Sequence, residues 1–115
     1  MRRLGYVVTC IMLIFIASCE KYTIPAPEVP EGISFTEDDI PIFENSCVGC
    51  HSGGIPPELT SGVAYEELVD GGYVDTSDPE SSELYLTLTG SHSSRATEEE
   101  KLLILQWIRE GALNN

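Results

Sequence analysis

Methionine is almost missing from this chain: Met1 and Met12 are its two examples, so no thioether can take part in any site built after residue 12. Histidine is as scarce, with His51 and His92 alone, which excludes a histidine-rich metal cluster. Basic residues are few, six Lys and Arg against nineteen Asp and Glu for a net charge of −13, and a chain this acidic is no partner for nucleic acid. No apolar run is long enough to span a bilayer. The longest, Leu4 to Ile16, makes a helix of about 20 Å against a hydrocarbon layer of roughly 30 Å. Repeats, low-complexity tracts and strand-like alternation are absent, and the 115 residues fit one small helical domain.

What is present begins with an export signal. Arg2 and Arg3 precede the apolar run, and Ala17-Ser18 precede Cys19. Ile16-Ala17-Ser18-Cys19 resembles the bacterial lipobox, whose cysteine receives diacylglycerol before cleavage; an ordinary secretory peptide is the alternative. Residues 1–18 are therefore expected to be a lipoprotein signal peptide and Cys19 the lipidated first residue, with further acyl chains giving durable anchoring. All nineteen acidic residues lie at or after Glu20, while Lys21, Arg95, Lys101 and Arg109 are the basic residues left. The mature chain is thus more acidic than the whole, which suits a partner protein with basic patches.

Of four cysteines, Cys10 leaves with the signal and Cys19 carries lipid, leaving Cys47 and Cys50. Residues 47–51 read Cys-Val-Gly-Cys-His, the c-type haem attachment sequence. Two thiols separated by two residues reach the two vinyl groups on one porphyrin edge, and His51 follows as the proximal iron ligand. Attachment happens outside the cytoplasm, so motif and export signal support one another. Three other readings use the same residues: a thioredoxin-like redox pair, a zinc site adding His92, and a structural disulfide.

Residues 19–33 are the lipidated cysteine and a Pro-rich tether, reaching roughly 40 Å if extended in polyproline II form. The domain is expected to occupy 34–115. Ile40, Phe43 and Cys47 fall on one helical stripe, with Pro41 demanding an irregular start. A short helix over 61–69 should stop at Gly71-Gly72. Asp78 reads as the N-cap of a helix with Pro79 at its first position and Leu84 and Leu88 on one face. Thr97 and Glu100 read as a capping box for a last helix whose apolar stripe holds Leu103, Ile104, Trp107 and Ile108, ended by Gly111.

From about Phe35 to Asn115 the chain resembles the small monohaem cytochrome c domains appended to lipoproteins in Bacteroidetes, akin to the planctomycete-type cytochrome c domains. "DDIPIFENSCVGCH" is similar to that group's first helix and attachment site, "DPESSELYLTL" to its middle helix and "LLILQWIREGALNN" to its last. The resemblance implies an all-α, class I cytochrome c-like domain packed around one covalent haem c. It also implies that the first and last helices cross, with Phe43 and Trp107 packed on one another at the haem side.

One part departs from the family. Such domains usually supply a methionine as sixth ligand from the loop before the last helix; here that loop, "TGSHSSRA", has none. His92 in that loop, an open sixth position, or Lys101 are the options left. The segment Ile55-Pro56-Pro57 is the expected source of a carbonyl that orients the ring of His51. The function implied is electron transfer in the cell envelope by a membrane-anchored cytochrome facing the periplasm or cell surface. A haem-based small-ligand sensor is the alternative if the sixth position is open. The chain is not expected to be an enzyme; with no distal acid–base group, peroxidase-like activity is a lesser reading.

Overall fold

The computed structural model describes Pro25 and residues 27–115; the expected signal segment, Cys19 and the first part of the tether lie outside the described residues. Among the described residues all regular structure is helical, and no helix is long and apolar enough to cross a membrane.

The first element is a π-helical turn, Phe35–Asp39, whose wide ring is closed by the Ile40 N–H donating to the Phe35 carbonyl. Ser34 caps it: its Oγ accepts from the Glu37 N–H at 3.1 Å, while the Asp38 carboxylate accepts from the Ser34 N–H at 2.8 Å. The turn runs into α1, Ile40–Ser46, with Pro41 at its second position, directly after the Ile40 N–H that closes the π turn. This is the irregular start that Pro41 demanded.

Helix α2, Ala64–Val69, stops where the sequence predicts. A Cβ on Gly71 would sit 2.1 Å from the Glu67 carbonyl oxygen, so no other residue fits that turn. The next stretch differs from expectation. Instead of one helix from Asp78, a single 3-10 turn at Pro79–Ser81 is followed by α3, Glu83–Thr89. Ser82 breaks the two apart with an extended ψ of 133° because its buried hydroxyl is bound to the backbone of Asp75. It accepts the Asp75 N–H at 2.9 Å and donates to the Asp75 carbonyl at 3.3 Å. Asp78 holds the expected N-cap position before Pro79 but makes no side-chain cap bond; Asp75 instead takes the N–H groups of Ser77 and Asp78 on one carboxylate oxygen.

Helix α4, Glu98–Arg109, has the expected capping box: Glu100 N–H donates to Thr97 Oγ1 at 3.2 Å, and Thr97 N–H donates to Glu100 Oε2 at 2.7 Å. Gly111, at φ +100°, ends it as predicted. Its stripe of Ile104, Trp107 and Ile108 is fully buried, with Leu103 at the margin.

The core gathers on that stripe. Phe43 and Trp107 are both completely buried, but the ring lying on Trp107 is Phe35, at a centroid distance of 4.8 Å. Phe35 also meets Phe43 at 6.2 Å and Tyr65 edge-on at 5.4 Å. The implied Phe43–Trp107 packing is therefore relayed through Phe35. The π-helical turn contributes to this: its smaller rotation per residue brings Phe35 and Phe43, eight positions apart, closer in direction than the about 80° a regular helix would leave between them. The polar tips of the cluster are satisfied by the segment after α4. Tyr65 donates to the Ala112 carbonyl and Trp107 Nε1 to the Leu113 carbonyl, each at 2.9 Å.

One buried group stands apart. Asp39, at the junction of the π turn and α1, is wholly buried, and among the described residues neither carboxylate oxygen meets a donor. Burial, with a smaller push from Asp38, raises its pKa from 3.8 to about 8, so Asp39 is held protonated at neutral pH.

Candidate functional site

Helix α1 ends at Cys47, whose N–H donates to the Phe43 carbonyl at 2.8 Å. The chain then makes one more tight turn: the N–H groups of Cys50 and His51 both donate to the Cys47 carbonyl, at 3.1 and 3.0 Å. Residues three and four apart on such a turn share a side. The turn therefore puts Cys47, Cys50 and His51 on one side of the chain. Both cysteines are free thiols, Cys47 half-buried and Cys50 exposed. Burial pushes the Cys47 thiol pKa up, Glu100 adds to the rise and Arg95 opposes it. Those two charges come from α4 and from the loop before it, which therefore lie close to Cys47.

The loop after His51 folds back on the ring. Leu59 N–H donates to the His51 carbonyl at 2.8 Å, and Nδ1 of His51 lies 3.0 Å from the carbonyl oxygens of both Ile55 and Pro57. This is the segment singled out in the sequence. Carbonyls only accept, so Nδ1 must carry the proton, and the lone pair of the neutral ring is on Nε2. His51 is thus presented in the tautomer that binds a metal through Nε2.

His92 sits in the loop between α3 and α4 and is exposed. Its N–H donates to the Thr87 carbonyl at 2.9 Å, its carbonyl accepts from Arg95 at 2.9 Å, and its Nδ1 is 3.0 Å from the Ser91 hydroxyl. The two imidazoles, from loops far apart in the chain, lie with centroids 6.2 Å apart and planes inclined by 49°. Lys101, the other candidate ligand, is committed elsewhere. Its buried ammonium donates to the Ser93 carbonyl at 2.8 Å and to Glu98 at 2.6 Å.

The competing readings fare differently on this geometry. Among the described residues, no three His, Cys, Asp or Glu side chains converge as a metal-binding group, which speaks against tetrahedral zinc. The absence of strands among them removes the βαβ frame of a thioredoxin-like pair. Phe43 and Trp107 belong to the aromatic core behind the motif. Sequence reasoning missed Phe35, Asp39 and the role of Lys101; the one available signal was a lysine at a position where the helical stripe asks for an apolar residue. Comparison with protein-family models, curated proteins and solved structures finds no match.

Proposed function

We propose that this chain is a c-type haem protein that carries electrons in the cell envelope, in which Cys47 and Cys50 would attach the haem and His51 and His92 would hold its iron. The observation that carries the reading is the spacing of the two histidines. Imidazoles bound to one metal ion from opposite sides, each with a metal–nitrogen bond of about 2 Å, have ring centroids about 6 Å apart. The separation here is 6.2 Å. The cysteines, one helical turn apart beside His51, complete the donor set that haem c requires.

When bound, haem supplies a one-electron iron couple, and the residues of the chain set how that couple behaves. The Ile55 and Pro57 carbonyls hold the His51 ring and make it a more basic ligand. A second histidine in place of the family's methionine gives a lower potential, since thioether ligation favours ferrous iron. An open sixth position, as a ligand sensor needs, would require His92 to lie away from His51; the 6.2 Å separation of the rings favours the electron carrier.

The acidic surface suits a partner with basic patches. Of the basic residues described, Arg109 is paired with Glu80 and Lys101 is buried, so Arg95 alone is an exposed and unpaired cation. Association should slow as salt rises. The sequence features before residue 25 supply the rest of the reading: export and lipid anchoring at Cys19.

The test is covalent attachment. Co-expressed with a cytochrome c maturation system, the chain should gain the mass of one haem and give a two-thioether pyridine haemochrome spectrum. A Cys47→Ser/Cys50→Ser double variant should lose both. An unmodified mass for the wild-type chain would overturn the proposal.

A further inference from the structure

We infer that Lys101 is a positioning residue: it latches the loop that carries His92 to the last helix and thereby keeps the haem iron six-coordinate. The inference rests on the haem reading above. Its starting point is an ammonium group where none is expected. Lys101 is 4% exposed and is the only buried basic side chain among the described residues. Removing an ammonium from water is costly unless its protons are well used.

Glu98 does not account for that burial. Its side chain is 85% exposed, so the carboxylate could pair with a solvent-facing lysine equally well. What the buried position adds is the Ser93 carbonyl, 2.8 Å from Nζ, on the residue directly after His92. The loop's other backbone bonds are local. His92 bonds to Thr87, Ser93 to Gly90 and Arg95 to His92, and residues 89–95 are all exposed. Local turns of this kind open easily, because they bury nothing that would be lost. The bond from Lys101 ties the loop to α4, and α4 is fixed to the core through Ile104, Trp107 and Ile108. Without it His92 would be held only by its own loop.

Carbon monoxide binding to the ferrous holoprotein measures this directly, because the gas can bind only while His92 is off the iron. Lys101→Met should keep its covalent haem and helical content, and should bind carbon monoxide about tenfold faster or more, the expected cost of losing a charged hydrogen bond. Lys101→Arg, which keeps charge and donors, should restore most of the wild-type rate. Lys101→Gln should fall between, and serves the same comparison should Lys101→Met not assemble. Unchanged rates in Lys101→Met and Lys101→Gln with haem attached overturn the latch and leave the haem reading intact. Failure of the wild-type chain to attach haem removes both. Persistence of a low-spin iron in His92→Ala but not in His92→Ala/Lys101→Met would make Lys101 itself a ligand and also overturn the latch.

Discussion

The Glu110 carboxylate, at the end of the last helix, accepts the backbone N–H of Ile33 at 2.8 Å with one oxygen and that of Gly32 at 2.9 Å with the other. Asn115 adds to the clasp, its side-chain oxygen taking the Phe35 N–H and its amide donating to the Ile33 carbonyl. The tether is therefore pinned to the domain at Gly32 and Ile33, its residues 27–30 lie beside Glu99, Leu102 and Leu103 of α4, and Ile33, assigned to the tether from sequence, is buried in the core.

This clasp holds the end of the tether to the end of α4. Glu110→Ala should open residues 27–33 to limited proteolysis while the core from Phe35 onward stays resistant. Bonds from Gln106 and from the Gly32 and Ile33 amides hold the Glu110 carboxyl below its ordinary 4.5. Its contribution is therefore present above pH 4.5 and is lost as the pH falls through the lowered value. In the wild-type chain the same cleavage should appear on acidification; equal rates in variant and wild type at neutral pH would argue against the clasp.

The buried carboxyl of Asp39 makes a prediction of opposite sign. Its pKa is raised in the folded chain, so the unfolded state loses the proton first, and the stability tied to it declines between pH 3.8 and about 8. Asp39→Asn removes the titration while keeping the shape. Chemical denaturation should find the variant close to wild type at pH 4 and more stable by a few kcal/mol at pH 8. A difference that does not change with pH would show that Asp39 is not buried as an acid.

The aromatic relay can be tested on the tryptophan. Phe35→Leu should change the fluorescence and near-ultraviolet circular dichroism of Trp107 more than Phe43→Leu does, because Phe35 is the ring in contact with the indole. Truncation of either ring to alanine should cost about 3–5 kcal/mol. The reverse order of spectral effects would restore the direct Phe43–Trp107 contact implied by the resemblance.

How much of this was legible in the sequence depended on how far apart the partners lie. The capping box of Thr97 and Glu100, Pro41 in the first turn of a helix, Gly111 as a stop and the Leu84–Leu88 face all depend on neighbours within a turn or two, and the structure has each of them. The break at Ser82 was not legible because it depends on a hydroxyl bound to Asp75 across a bend. Phe35 was hidden by the π-helical turn, which alters the period on which a stripe is counted. At the site, the Cys-Val-Gly-Cys-His turn and the carbonyls that orient His51 are local and were read. His92 was named from its place in the loop before the last helix, but its distance from His51 and the use of Lys101 belong to the packing of α4, which no spacing along the chain encodes.

The central claim is that His51 and His92 bind one haem iron from its two sides. The measurement that tests it most directly is the optical and EPR spectrum of the ferric holoprotein, compared with that of His92→Ala. The account predicts low-spin iron in the wild-type chain and high-spin iron in the variant, with covalent haem in both. High-spin iron in the wild-type protein, unaltered by His92→Ala, would contradict it.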